Sequence, residues 1–221
     1  MEYKRVTLFA GHYGSGKTNI ALNYAFNMKR DGKSVVIADL DIVNPYFRTK
    51  DSERELNEAG IKLISSEFAS SNVDLPALPQ EIYSVVHNNS DYAVLDIGGD
   101  DRGAYALGRY ADSIVKENNY EMLMVINMYR PLTRDVASTL EVMREIEQAC
   151  SMKFTAVVNN SNIGEETTAQ DVLDSLSYAN DVAAAAGLSV KMTTVRKDLY
   201  NQLSESVENL FPLTLQEKIW R

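Results

Sequence analysis

Short apolar, largely β-branched runs recur along the chain at residues 6–10, 34–39, 61–65, 92–97, 121–127, 154–159 and 188–194. Each reads as continuously apolar rather than alternating, the pattern of a parallel strand buried on both faces. Helical periods lie between them. The stretch 18–30 is apolar nearly all round (Ile20, Leu22, Tyr24, Ala25, Phe26, Met28), carries Lys29 and Arg30 in its last turn and stops near Gly32. The stretch 133–148 places Val136, Leu140, Met143 and Ile146 on one stripe, and 168–186 does the same with Val172, Leu176, Ala179, Val182 and Ala186 before Gly187. This alternation predicts an α/β fold: a doubly wound, mostly parallel sheet of about seven strands with helices on both faces and its ligand at the carboxyl ends of the strands. No Gly/Ser-rich or Pro-rich linker and no internal repeat interrupts it, so residues 1–221 are expected to form a single domain.

The first strand runs into Gly11-His12-Tyr13-Gly14-Ser15-Gly16-Lys17-Thr18, a complete G-x-x-x-x-G-K-[ST] phosphate-binding loop, and the first helix follows it. Polyphosphate is cradled by backbone N–H groups, which requires glycines where the chain turns and approaches its ligand. Lys17 is expected to reach the β- and γ-phosphates as a catalytic cation. Thr18 offers a hydroxyl to Mg²⁺, and the helix N-terminus favours the anion. The expected nucleotide contacts are Gly11, His12, Tyr13, Gly14, Ser15, Gly16, Lys17, Thr18 and Asn19. Two further motifs end strands. Asp39-Leu40-Asp41 closes the second and leads into Asn44-Pro45; carboxylates at i and i+2 of an extended chain point the same way. Asp96-Ile97-Gly98-Gly99 closes the fourth, delivering an aspartate for Mg²⁺ and a glycine, Gly99, whose N–H suits a γ-phosphate.

The order of these three motifs resembles the MinD/ParA/CobB-type nucleotide-binding family, within the class of P-loop NTPases that also holds signal-recognition GTPases and nitrogenase iron protein. The resemblance implies a Mg²⁺-dependent ATPase that hydrolyses ATP to ADP and phosphate and often dimerises face to face over bound nucleotide. It implies that Lys17 and Thr18 bind phosphate and metal, that Asp39 and Asp96 serve the metal, and that Asp41 positions or activates the attacking water. One position departs from the family. MinD and ParA proteins carry a lysine second in the phosphate loop, contacting the partner subunit's nucleotide, and this chain has His12 there. A shorter, mostly neutral imidazole does not supply that fixed charge. Arg48 and Arg102 are candidates to replace it.

Where guanine-specific relatives place N-K-x-D, this chain has Asn159-Asn160-Ser161-Asn162. An amide in place of the carboxylate that accepts from guanine N1–H favours ATP over GTP, with Asn159 matched to adenine. A net charge of −9 disfavours nucleic acid and anionic membrane as partners. One cysteine, Cys150, and the absence of a signal-like or spanning apolar run fit the cytoplasm and exclude an internal disulfide. Cys150 falls on an apolar helix face and is expected in the core, not on an iron–sulfur cluster. Two readings remain: a nucleotide switch acting on a protein partner or a second copy, and an ATP-dependent small-molecule ligase resembling dethiobiotin synthetase or CobB-type enzymes. Convergence of Arg48, Arg102, Arg130 and Arg134 near Lys17 favours the second, and the segment 67–80 offers either a substrate pocket or a partner surface.

Overall fold

The computed structural model describes residues 2–40, 49–65, 90–98 and 101–215, with Ile82 and Val85 besides. Its strands are β1 (Val6–Ala10), β2 (Val35–Leu40), β3 (Lys62–Ser65), β4 (Tyr92–Ile97), β5 (Tyr120–Ile126), β6 (Ala156–Asn159), β7 (Val190–Arg196) and β8 (Leu210–Leu213). They form one sheet in the order β3-β2-β4-β1-β5-β6-β7-β8, and every neighbouring pair is parallel. After β1 the chain builds outward on one side, returns through β4, and then builds outward on the other. The crevice at the carboxyl end of β1 is therefore the topological switch point.

The helices are α1 (Lys17–Arg30), α2 (Glu53–Glu58), α3 (Asp101–Glu117), α4 (Val136–Cys150), α5 (Ala169–Ala186) and the single turn α6 (Tyr200–Leu203). Alternate strand residues separate two cores. Leu8 and Ala10 pack with Leu107 and Ile114 of α3, Met143 and Ile146 of α4 and Val182 of α5. Phe9, between them, faces the other side with Ile20, Tyr24 and Met28 of α1 and Leu56 of α2. Burial of both faces is what makes the strands apolar without alternation. Local signals set the helix starts: Asp135 caps α4 by accepting from Ser138 N at 2.9 Å, and Thr168 and Asp171 form a reciprocal capping box on α5.

Three elements differ from the sequence expectation. The sheet has eight strands rather than about seven, and all are parallel, because β8 (Leu-Phe-Pro-Leu) joins as an edge strand despite Pro212. Proline lacks an N–H and is tolerated only where that side of the strand is open. α3 is a whole helix that glycines at 103 and 108 disguise; Gly108 lies where a Cβ would stand 3.5 Å from the Ala149 carbonyl oxygen, so α3 packs closely on the end of α4. The helix expected over 133–148 begins later, at Val136, after a 3₁₀ turn over Pro131–Thr133.

At the amino end of the sheet, Glu121 is buried. It accepts from Thr7 Oγ1 at 3.1 Å and from the Tyr24 hydroxyl at 2.7 Å, and it pairs with Lys191 across to β7. Burial, followed by the charge on Glu121, pushes the Tyr24 hydroxyl far above the ordinary tyrosine range.

Candidate functional site

The loop joining β1 to α1 holds glycine in left-handed backbone at Gly11 (φ 152°), Gly14 (φ 76°) and Gly16 (φ 90°). Two of these are also fixed by space: a Cβ on Gly11 would run into the Val125 carbonyl oxygen, and one on Gly16 into Asn160 Nδ2. The turn closes with Ser15 N donating to His12 O at 3.1 Å, and Lys17 Nζ donates to the same oxygen at 3.3 Å. Lys17 and Thr18 are buried in the first turn of α1. Ser15 Oγ is buried and has no hydrogen-bond partner among the described residues. A hydroxyl so placed, beside backbone N–H groups at a helix N-terminus, fits a phosphate oxygen. Around the loop, His12 Nδ1 lies 2.9 Å from the Tyr13 carbonyl oxygen, and the Tyr13 ring is exposed. Asn19 follows in α1, its Oδ1 buried without a partner among the described residues.

Asp39 and Asp96 are register partners on β2 and β4, and Phe9 of β1 is the next partner in the same row. Strand alternation turns both carboxylates to the face that carries α1, since Ile37 and Val94, two residues before each, pack there. Both are buried, and Thr49 Oγ1 donates to Asp96 Oδ2 at 3.2 Å. Adjacent carboxylates beside the loop that presents Thr18 suit a Mg²⁺ ion that keeps most of its ligands as water and phosphate oxygen. Among the described residues no group of three or more His, Cys, Asp or Glu side chains is placed to hold a metal ion by itself. Asp41, Gly99 and the segment 67–80 lie outside the described residues.

The loops after β5 and β6 are stitched to each other and to the phosphate loop. Asn127 accepts from Asn162 N at 3.2 Å and donates to Asn162 O at 3.1 Å, while Ser161 Oγ accepts from Met128 N. Asn160, also buried, donates to the Ser15 carbonyl oxygen and accepts from Thr194 Oγ1 of β7. Asn159 is the residue expected against the base. It has no exposed surface, donates to Ser175 Oγ of α5 at 2.9 Å and accepts from Ser161 N, so its amide braces the sheet against α5. Asn162 Oδ1 accepts from Gly164 N, closing the turn.

Of the four arginines, the side chains of Arg48 and Arg102 are outside the described set. Arg134 is exposed and lies 3.6 Å from its neighbour Asp135. Of the two that are described, Arg130 reaches the phosphate loop, where its Nε donates to the Gly14 carbonyl oxygen at 3.1 Å. The contacts of Arg130 and Asn160 with the phosphate loop have no local sequence signal, because each joins segments more than a hundred residues apart.

Beyond this loop, the ends of β7 and β8 enclose an open cavity of about 530 Å³ lined by Glu165, Arg196, Lys197, Asp198 and Thr214. The Arg196 guanidinium holds the Asp198 carboxyl below the usual carboxylate range. Cys150 is buried, as expected, and burial pushes its thiol up.

No curated protein sequence matches the chain. The family model for the CobQ/CobB/MinD/ParA nucleotide binding domain matches residues 6–189. Among solved structures, the cell division protein FtsY of Thermotoga maritima matches with a TM-score of 0.59 at 20% identity, covering 86% of this chain and 61% of that one. The signal recognition particle receptor FtsY of Elizabethkingia anophelis in complex with GDP gives 0.53 at 16%, covering 88% and 58%. The signal recognition particle 54 kDa protein of Aeropyrum pernix in complex with GDP gives 0.53 at 17%, covering 87% and 41%. These likenesses are of fold, and this chain spans about three fifths of the FtsY chains and two fifths of the 54 kDa protein.

Proposed function

Because the chain belongs to the CobQ/CobB/MinD/ParA nucleotide-binding domain family, we propose that it is a magnesium-dependent ATPase working as a nucleotide-controlled switch. The observation that carries this reading is the register pairing of Asp39 with Asp96 on the face of the sheet from which α1 rises, next to a glycine loop with a buried serine hydroxyl that has no partner among the described residues. Lys17 and the loop amides hold the β- and γ-phosphates and take up the charge that spreads over the transferred phosphoryl group. Thr18, Asp39 and Asp96 are the residues that would hold Mg²⁺, which when bound neutralises phosphate charge. Asp41 orients the attacking water.

Adenine is favoured because Asn162 stands where a guanine-specific loop needs a carboxylate, and its amide closes the turn to Gly164. GTP is the second reading, supported by the two neighbours solved with GDP. Titrating the protein with fluorescent ATP and GTP analogues, with and without Mg²⁺, separates them. ATP is expected to bind and turn over in a Mg²⁺-dependent manner, and preferential GTP binding would replace the base assignment while leaving the phosphate site intact. Asp41→Ala is expected to spare binding and slow phosphate release at saturating nucleotide by about a hundredfold. Loss of binding in that variant would move Asp41 into the metal site.

The switch reading is favoured over a ligase because only Arg130, among the arginines whose side chains are described, lies at the loop. Tyr13, Leu132 and Ile163 also leave apolar side chains exposed on three separate loops at the carboxyl edge of the sheet, where a partner or a second copy would cover them. Among the described residues no helix is long and apolar enough to cross a membrane, and a cytoplasmic site of action fits this reading. Sizing the protein in ATP and in ADP tests the switch: no change in assembly or partner capture between the two nucleotides would count against it.

A further inference from the structure

We propose that Arg130 binds the terminal phosphate of the nucleotide from the outer rim of the loop, supplying within one chain the cation that position 12 lacks. This rests on the nucleotide-binding reading above and adds a residue to it.

Three observations carry it. The backbone of Arg130 is set by a closed turn: Arg130 N donates to Asn127 O at 3.1 Å, Thr133 N donates to Arg130 O at 3.0 Å, and Thr133 Oγ1 donates to Asn127 O at 2.7 Å. Asn127 is fully buried, and Pro131 begins the 3₁₀ turn that follows, so the base of the arginine side chain has little freedom. The side chain is then tethered at its near end. Nε donates to the Gly14 carbonyl oxygen, and Cδ, Nε and Cζ all lie within 4.0 Å of the point where a Cβ on Gly14 would sit. The side chain thus lies within van der Waals range of Gly14. Finally, the tether engages one of the five guanidinium donors, and no carboxylate among the described residues pairs with the rest.

An exposed arginine in a chain of net charge −9 has many acidic partners available at the surface. This one is instead pinned to the crest of a loop shaped for phosphate. Guanidinium binds phosphate oxygens through paired, charge-assisted hydrogen bonds, and a planar fork fixed at Nε presents its remaining N–H groups with little further ordering. His12, by contrast, has its ring nitrogen against the Tyr13 carbonyl oxygen of the same loop. A contact at the rim, rather than in the floor that Lys17 occupies, falls to the last phosphate of the chain. It therefore distinguishes a triphosphate from a diphosphate.

The test compares affinities of wild type, Arg130→Ala, Arg130→Lys and Lys17→Ala for ATP, a non-hydrolysable ATP analogue and ADP, repeated with the guanine nucleotides if those are what wild type binds. Thermal melts without nucleotide check folding, and the exposed position of Arg130 leaves the fold of its variants intact. Arg130→Ala is expected to weaken triphosphate binding about ten- to a hundredfold and to leave diphosphate affinity within about twofold. Arg130→Lys keeps the charge without the fork and is expected to recover part of the loss. Equal weakening for di- and triphosphate would reduce Arg130 to a brace for the loop and overturn the proposal, as would unchanged affinity for both. If wild type binds no nucleotide, or Lys17→Ala binds as well as wild type, the nucleotide reading itself has failed.

Discussion

Replacing Lys17 by alanine is expected to remove nucleotide-dependent stabilisation and turnover while leaving a folded protein. Lys17 opens α1 inside the phosphate loop, is buried, and spans the loop to the His12 carbonyl oxygen at 3.3 Å. In the proposed function a bound triphosphate would take that ammonium group in place of the carbonyl, so the residue would contribute to binding and, more strongly, to stabilising the developing charge. Loss of one such donor from a site closed to water costs on the order of a hundredfold to a thousandfold in rate. Binding is read by melting temperature. At a nucleotide concentration a hundred times its Kd the wild-type fold gains about 2.7 kcal/mol, roughly 5–10 °C for a chain of this size. Lys17→Ala should melt at the same temperature with and without nucleotide. A variant that keeps the wild-type shift would show that phosphate is held somewhere else.

The second large effect concerns stability alone. Lys191→Met leaves the Glu121 carboxylate buried beside Thr7 and Tyr24 without its cation, and removing one member of a buried pair is far more costly than removing both. Because Lys191 keeps about a fifth of its side chain exposed, we expect a loss of about 2–3 kcal/mol, below the full cost of a dry pair. It is to be measured as a lower urea midpoint at unchanged slope. The double variant Glu121→Leu with Lys191→Met should recover part of that loss, since the unpaired charge is gone while the buried Thr7 and Tyr24 hydroxyls lose their acceptor. A single variant as stable as wild type, or a double variant no better than the single, would show that the pair contributes little. Neither variant is at the phosphate loop, so nucleotide affinity should be unchanged.

The phosphate loop and the strand-end aspartates were legible in the sequence because each is a local pattern with a fixed chemical purpose. A glycine-rich turn between an apolar run and an apolar helix has few other uses, and the register that brings Asp39 beside Asp96 pairs two six-residue strands that each carry the aspartate next to last. What sequence hid was hidden for definite reasons. Glycines at 103 and 108 mask the stripe Leu107, Tyr110, Ala111 and Ile114 of α3, which is plain once the helix is known. Asn159 and Asn160 are chemically equal on paper. Strand parity separates them, turning the first toward α5 and the second toward the Ser15 carbonyl oxygen. Arg130 carries no motif at all. Its place depends on a turn built around Asn127 and on a hydrogen bond to the Gly14 carbonyl oxygen.

Pro212 has a consequence for how copies of this protein meet. Thr193 N donates to Asn209 O, so alternation turns the backbone groups of Phe211 and Leu213 toward β7 and those of Pro212 toward the open side of the sheet. That rim then presents a pyrrolidine ring at mid-strand, where an incoming chain would look for a donor. Ribbon-to-ribbon extension into fibrils is blocked there, which directs self-association away from the flank of the molecule.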